Sequence, residues 1–338
     1  MSDKSRKILI IKPSSLGDVV HSLAVLDALY RCFPGSEIHW LVAKGFEGLL
    51  EGHPMLRKVW IIHKDEWKKI SRLQTTVAEL RILFRDLRKE RFDFAIDLQG
   101  LFRSGFIAKA TGAPMRIGFK EAREGSTIFY THTVEGGKDI HAVDRYLRIP
   151  AFLGCKVTQV RFPFPPSGHS PSPALPVLGE YAVMVPGARK PVNRWPARRF
   201  GELASQLPMS TLVLGSRGDR MLAEEVVRAS HGKAESLAGK TDIRGLIQVI
   251  RGARFMVSND TGPMHIAAAF GIPVFALFGP ANPLRTGPYG KGHTVIRKEI
   301  SCAPCYRKTC KKPQCLDMIT TEEVTEIIVN FLRRNNGT

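Results

Sequence analysis

Apolar residues follow two rhythms along this chain. Short, mostly apolar runs occur at Ile8 to Ile11, Glu37 to Val42, Lys58 to Ile62, Phe94 to Leu98, Tyr181 to Val185, Thr211 to Leu214, Phe255 to Val257 and Val274 to Phe278. Runs of this length without alternation suit strands covered on both faces, as in a parallel sheet. Between them, apolar positions recur every three or four residues. Val19, Leu23, Leu26 and Tyr30 form one such stripe, ended by Pro34–Gly35. Ile70, Leu73, Val77, Leu80, Phe84 and Leu87 form another, predicting an amphipathic helix over 66–90. Further helices are predicted over 197–207, from about Asp219, after Pro263 and over 321–333. Strands alternating with helices predict an open α/β architecture.

The alternation is interrupted once. The stretch 162–178 holds six prolines with Ser and Gly among them, reads as a linker, and is followed by a restart of the pattern. The expected organisation is therefore one doubly wound domain over 1–165, a Pro-rich linker over 166–178 and a second doubly wound domain over 179–338. Sheets of this kind hold ligands outside the carboxyl ends of their strands. The turns after Ile11 and Val257 are such ends, one in each half.

The longest apolar runs are far shorter than the ~20 residues of a membrane span, and the apolar run before Lys12 is too short for a secretory signal core. A cytoplasmic protein is expected. The formal net charge is +19 over 338 residues, and both halves are basic. Such an excess favours anionic partners: nucleic acid, an anionic membrane surface or a phosphorylated substrate, against a basic surface that is merely solvated. Of the six cysteines, Cys32 and Cys155 stand isolated and are expected to be buried. Disulfides are not expected in a cytosolic chain. Cys302, Cys305, Cys310 and Cys315 have a C-x2-C-x4-C-x4-C spacing that suits zinc or an iron–sulfur cluster, or equally a reduced structural loop.

Several turns carry candidate chemistry. Ser14-Ser15-Leu16-Gly17-Asp18 opens the first helix. Gly17 allows close backbone approach. A carboxylate at Asp18 is favoured in its ionised form by the helix dipole and suits a general base; an Asp there also suits a helix cap. The turn lacks both the G-x-G-x-x-G and the G-x-x-x-x-G-K-[ST] patterns, against a dehydrogenase or a phosphate-loop ATPase. Basic residues gather at Arg57, Lys58, Lys64, Lys68, Lys69 and Arg72, and later at Arg116, Lys120 and Arg123, either for an anionic acceptor or as solvated cations.

In the second half, Pro186-Gly187-Ala188-Arg189-Lys190 follows a strand, offering N–H groups and two cations to a diphosphate or lying as a basic surface loop. Asn193-Arg194-Trp195-Pro196 leads into the next helix. Asp219 could accept from ribose hydroxyls or cap a helix. Ser258-Asn259-Asp260 breaks a strand, and Thr261-Gly262-Pro263 starts a helix whose N-terminus suits a phosphate, with His265 one turn inside. An ordinary well-capped βαβ unit has the same pattern.

Taken together these segments resemble glycosyltransferase family 9, the heptosyltransferases of lipopolysaccharide core assembly. The resemblance spans nearly the whole chain. It is carried by Ile8 to His21, Asp97-Leu98-Gln99-Gly100, His141-Ala142-Val143-Asp144-Arg145, Pro186-Gly187-Ala188, Arg194-Trp195-Pro196, Asp260 to His265 and Gly279-Pro280. The first half is more similar to the heptosyltransferase I branch, and the Cys302-x2-Cys305 loop to branch II.

The resemblance implies a GT-B fold, with two Rossmann-like domains facing a cleft. It implies an inverting transfer of L-glycero-D-manno-heptose from ADP-heptose to Kdo–lipid A, without cofactor or catalytic metal. Asp18 matches the catalytic base. Gly187, Ala188, Arg189, Lys190, Asn193, Asp219, Thr241, Asp260, Thr261, Gly262 and His265 fall on the donor side. Ser14, Ser15, Gly17, Lys64, Lys120 and Arg123 fall on the acceptor side. Asn193 departs from the pattern, because many relatives carry a lysine there that contacts donor phosphate; Arg189 or Lys190 would supply the charge instead, or the donor sugar differs. An enzyme of this kind would sit peripherally on the anionic cytoplasmic face of the inner membrane and bind no nucleic acid. The alternatives are branch II activity on an already heptosylated core, a family 9 transferase with another nucleotide sugar and, more remotely, a nucleic-acid-binding protein with a zinc knuckle at Cys302–Cys315.

Overall fold

The computed structural model describes residues 5–68, 73–166 and 179–335. The chain divides into two compact units, Met1–Gly168 and His169–Thr338. Most of the Pro-rich segment, 167–178, lies outside the described residues, as do Lys69, Ile70 and Arg72.

The first unit is built on a six-stranded sheet: β1 (Lys7–Ile11), β2 (Glu37–Ala43), β3 (Lys58–Ile62), β4 (Phe94–Asp97), β5 (Met115–Phe119) and β6 (His132–Val134), in the order β3-β2-β1-β4-β5-β6. All its pairings are parallel. Its helices are α1 (Leu16–Cys32), α2 (Leu73–Lys89), α3 (Phe102–Ala110) and α4 (Ala142–Phe152). The second unit repeats the plan with β7 (Tyr181–Val185), β8 (Ser210–Val213), β9 (Ala234–Ser236), β10 (Phe255–Asn259), β11 (Val274–Leu277) and β12 (Thr294–Ile296). Its sheet runs β12-β11-β10-β7-β8-β9, again parallel throughout. Helices α5 (Ala197–Gln206), α6 (Arg220–Ala229), α7 (Ile243–Arg251), α8 (Gly262–Ala269), α9 (Pro283–Thr286), α10 (Gln314–Asp317) and α11 (Thr321–Asn335) complete it.

Each sheet has the strand order of a doubly wound nucleotide-binding fold, which reverses direction between its first and fourth strands. That reversal lies between β1 and β4 in one unit and between β7 and β10 in the other. The crossovers that start there leave in opposite directions, so the carboxyl ends of these pairs are open to a ligand. The central strands are buried on both faces: Ile8 to Ile11 and Ala182 to Met184 are 0% exposed.

Two expectations are corrected by the packing. The stripe on α2 holds at Leu87, which is buried, and at Phe84, which packs on the core, but Val77 is 39% exposed and Thr76 is buried instead. Cys32 and Cys155 form a disulfide, with Cα atoms 5.4 Å apart across 123 residues of sequence. Helices α1 and α4 lie side by side, which carries the end of α1 to the residues that follow α4. Cys302, Cys305, Cys310 and Cys315 are free.

Candidate functional site

In the first unit a polar network gathers where β1 and β4 end. Ser15 caps α1, and Asp18 is the third residue of that helix. The Ser15 amide and hydroxyl donate to Asp18 Oδ2 at 3.0 and 2.7 Å. Asp18 therefore does serve the helix start, as a capping box requires. Its other oxygen has a different task. Tyr146, on α4, donates to Asp18 Oδ1 at 2.9 Å. Lys12 Nζ lies 3.7 Å from the same oxygen and donates to the Tyr146 hydroxyl at 2.9 Å and to the Leu98 carbonyl at 3.1 Å.

Lys12 is 3% exposed, whereas the Asp18 side chain is 38% exposed. The ion pair thus has a dry cationic end and a wet anionic end. Burial pushes the Asp18 carboxyl upward, but the Lys12 charge and the Ser15 hydrogen bonds outweigh it and hold the group well below the usual carboxylate range. Burial also lowers Lys12, against the attraction of Asp18 and Asp97. Tyr146 is pushed well up by burial and by Asp18, so it remains a donor.

Asp97 supports this network from below. It is fully buried and accepts from the Gln99 and Gly100 amides at 2.8 and 3.1 Å and from the Tyr130 hydroxyl at 2.7 Å. Gly118 makes the last contact feasible, since a Cβ there would sit 2.3 Å from the Tyr130 ring. Gln99 Oε1 in turn accepts from the Ser14 amide at 3.3 Å, and Gly100 accepts from the Arg123 amide at 2.8 Å. The ring of His21 meets His141 edge-on at 5.2 Å. Three separated sequence blocks, around Asp18, Asp97 and His141, are thereby brought together.

Of the acceptor-side candidates, Ser14, Ser15 and Gly17 belong to this turn. Lys120 and Arg123 are exposed just beyond β5, and Lys64 follows β3 with its ammonium 5.4 Å from the Phe46 ring. Three other cations fall elsewhere. Arg57 and Lys58 lie at the opposite, amino end of β3. Arg116 is spent on the Phe129 and Ala113 carbonyls at 2.9 and 2.7 Å. The sequence reading missed Lys12 and Tyr146; a lysine closing an apolar strand was the only local signal.

In the second unit the ends of β7, β8 and β10 converge. Asn259, fully buried, is the tie. Its amide donates to the Pro186 carbonyl at 2.8 Å and its oxygen accepts from the Trp195 amide at 3.0 Å. Arg194 Nε holds the Ala188 carbonyl at 2.9 Å, which fixes the Gly187–Lys190 loop. A Cβ on Gly187 would lie 2.6 Å from Asp219 Oδ1, so this glycine lets Asp219 approach. Asp219 also caps its own turn, accepting from the Ser216 amide and hydroxyl at 2.9 and 2.6 Å. The turn holding Thr241 lies alongside, through the Gly239 amide on the Gly215 carbonyl at 2.9 Å.

Asn193 Nδ2 donates to Asp260 Oδ2 at 3.4 Å. Burial raises the Asp260 carboxyl to about 6, partly opposed by the Lys190 charge. Lys190 therefore reaches the site from the neighbouring loop, while Arg189 is exposed. Thr261 caps α8 with Gly262 and Pro263 in its first turn, and His265 is buried inside that helix. The positive end of the α8 dipole and the Lys190 cation make an anion-binding end.

The four free cysteines fold near the end of β11. Cys315 Sγ would lie 3.1 Å from a Cβ on Gly279, and the Cys305 amide donates to the Pro280 carbonyl at 3.0 Å. Among the described residues no group of three or more His, Cys, Asp or Glu is placed to hold a metal ion.

Comparison with known proteins agrees with this geometry. The profile of glycosyltransferase family 9 (heptosyltransferase) matches residues 80–316. Lipopolysaccharide heptosyltransferase 1 of Pseudomonas aeruginosa is 30% identical over 317 residues, covering 90% of this chain and 87% of that protein. The heptosyltransferase WaaC of Escherichia coli, solved with ADP, superposes with a TM-score of 0.81 at 26% identity, covering 96% of this chain and 99% of that one. ADP-heptose LPS heptosyltransferase II of Escherichia coli gives 0.80 at 25% identity, covering 98% and 100%.

Proposed function

Because the chain belongs to glycosyltransferase family 9, with the GT-B fold of its heptosyltransferases, we propose that it transfers L-glycero-D-manno-heptose from ADP-heptose to the Kdo of lipid A, as heptosyltransferase I does. It is a glycosyltransferase of lipopolysaccharide core assembly; the donor, the acceptor and the residue roles are the proposal. The observation that carries it is Asp18, a carboxylate kept ionised by the buried Lys12 and the Ser15 donors and bonded by Tyr146, yet left open to solvent.

In this reading the acceptor hydroxyl donates to Asp18. Its oxygen attacks the anomeric carbon of heptose as the bond to ADP breaks, and the configuration inverts. A carboxylate held so low is a weak base toward a resting alcohol. The hydroxyl becomes acidic as its oxygen bonds to carbon, so the proton moves late, onto a group that is ionised throughout the neutral range. The departing diphosphate is met by the first turn of α8 and by Lys190, aimed where charge develops. Asp219, beside Gly187, receives ribose hydroxyls. Lys64, Lys120 and Arg123 meet acidic groups of the acceptor.

The direct test is incubation with ADP-heptose and Kdo2–lipid A without added metal, read as acceptor mass. Gain of one heptose is expected. An unchanged acceptor with intact donor sinks this assignment. Asn193 favours a second reading, a different donor sugar, since the resemblance puts a phosphate-contacting lysine at this position; transfer from another nucleotide sugar would establish it.

Tyr146→Phe tests the network. Asp18 loses a hydrogen bond to its charged form, so its pKa rises and the acidic limb of the kcat/KM profile moves to higher pH. The expected loss in kcat is about tenfold, in line with one hydrogen bond to a charged group, with donor KM unchanged. An unshifted acidic limb would remove Tyr146 from the proton path.

No helix among the described residues is long and apolar enough to cross a membrane. Work on a lipid-borne acceptor therefore calls for peripheral attachment to the anionic cytoplasmic face of the inner membrane, which is part of the same proposal.

A further inference from the structure

Helix α3 carries an exposure that its fold does not require. Phe102 is 46% exposed and Phe106, one turn on, is 43% exposed. Ile128, in the neighbouring turn Ser126–Phe129, is 72% exposed. Phe102 and Phe106 share a floor, the Phe129 ring lying 5.0 Å from one and 5.8 Å from the other, and Ile128 directly precedes Phe129 in the chain. Gly105 holds the helix and the turn together, since a Cβ there would come within 2.8 Å of Phe129. The patch is thus a single rigid apolar surface rather than scattered side chains.

Its surroundings are cationic. Arg103 and Lys109, on the same helix, are exposed, as is Arg123 at the start of the neighbouring turn. Lys109 Nζ lies 5.9 Å from the centre of the Phe129 ring. Glu124, the acidic residue beside them, accepts the Phe102 amide at 3.2 Å. Apolar side chains bordered by Lys and Arg are the makeup of surfaces that lie in the interface of an anionic bilayer.

We propose that Phe102, Phe106 and Ile128 form the face by which this chain seats on an anionic phospholipid membrane, with Arg103 and Lys109 on lipid phosphates. The proposal rests on the reading of a lipid-borne acceptor. The patch is joined to the proposed base by the chain itself: α3 starts directly after the Asp97–Gly100 turn, which Arg123 and Ser14 hold by backbone donors. A membrane at this face would present acceptor headgroups on the Asp18 side of the unit. A second copy is disfavoured as occupant, because a two-fold contact sets the same cations against each other.

The test is flotation of the intact protein with phosphatidylethanolamine–phosphatidylglycerol vesicles and with phosphatidylcholine vesicles. The wild type is expected on the anionic vesicles alone and to leave them at high salt. The double variant Phe102→Ser/Ile128→Ser, exposed enough to keep the wild-type melting temperature, is expected to bind at least about tenfold more weakly. Arg103→Ser/Lys109→Ser is expected to lose binding to the anionic vesicles. Transfer to a deacylated, water-soluble acceptor is expected to match the wild type in both. Failure of the wild type to float, equal flotation of the serine variant, or a dimer that this variant disperses would each overturn the proposal. Flotation without heptosyl transfer would uphold the membrane face and sink the proposed reaction; transfer to vesicle-borne Kdo2–lipid A that is indifferent to both double variants would do the reverse.

Discussion

Asp18→Asn is expected to lower kcat by about 10²- to 10⁴-fold, the range a positioned general base supplies, while ADP binds as tightly as before. The separation follows from where the groups lie. Asp18 belongs to the first unit, and the proposed donor residues belong to the second. The substitution keeps the shape of the side chain, and its amide oxygen can still accept from Ser15 at the helix start. If Asp18 only caps α1, Asn is a mild change and turnover stays near wild type. If it is the base, an amide cannot take the proton. A loss of stability is also expected, since Lys12 is left in a dry site without its counter-charge; the solvent that reaches Asp18 keeps this to about 1–2 kcal/mol. Single-turnover transfer, ADP titration and thermal melting measure the three quantities separately. Near-normal turnover in the Asn variant would end the base assignment.

How far that site could be read from the residues alone depends on the range of its contacts. The strands of the sheet centres announce themselves, because burial on both faces leaves apolar runs, and Tyr181–Val185 falls where the pattern puts it; the edge strand Lys58–Ile62 does so as well, although Ile61 is exposed. The three-residue strands His132–Val134, Ala234–Ser236 and Thr294–Ile296 are too short to show a pattern, and Met115–Phe119 is disguised by Arg116 and Gly118. Strand β10 continues through Ser258 and Asn259, where polarity suggested a break. Their polar groups are consumed locally, by the Asn259 and Pro186 carbonyls and the Trp195 amide. The turns that bear Asp18 and Asp260 were legible because each places a helix N-terminus directly after a strand. Lys12 and Tyr146 were not, since their partnership spans 134 residues and only the pairing of α1 with α4 creates it. The Cys32–Cys155 disulfide was ruled out by the expectation of a cytosolic chain, and only the pairing of α1 with α4 brings its two cysteines together.

The Asp260 carboxyl bears on stability as well as on function, and Asp260→Asn is expected to move the two in opposite directions. Burial raises this group to about 6 from an ordinary 3.8. Below about pH 4 it is protonated whether the chain is folded or not, and it has no effect on stability. As pH rises from there to 6 the unfolded chain loses the proton first, so the folded state loses stability; beyond 6 the full cost of the buried charge remains. A shift of this size corresponds to about 3 kcal/mol, and partial solvent access reduces it to about 1–2 kcal/mol. The neutral Asn variant is therefore expected to melt higher than wild type at pH 8 and at the same temperature at pH 4. A chain that keeps an ionised side chain at such a cost keeps it for the site. Asp260 lies beside Lys190 and the first turn of α8, and Asn193 holds it by a hydrogen bond 3.4 Å long. Its removal takes away the negative charge nearest to Lys190, the cation proposed to meet the donor diphosphate, and kcat/KM for the proposed donor is expected to fall about 10- to 100-fold. Melting curves at the two pH values and donor kinetics at pH 8 decide it. A variant less stable than wild type at pH 8 would show that Asp260 is a structural anchor instead of a strained member of the site.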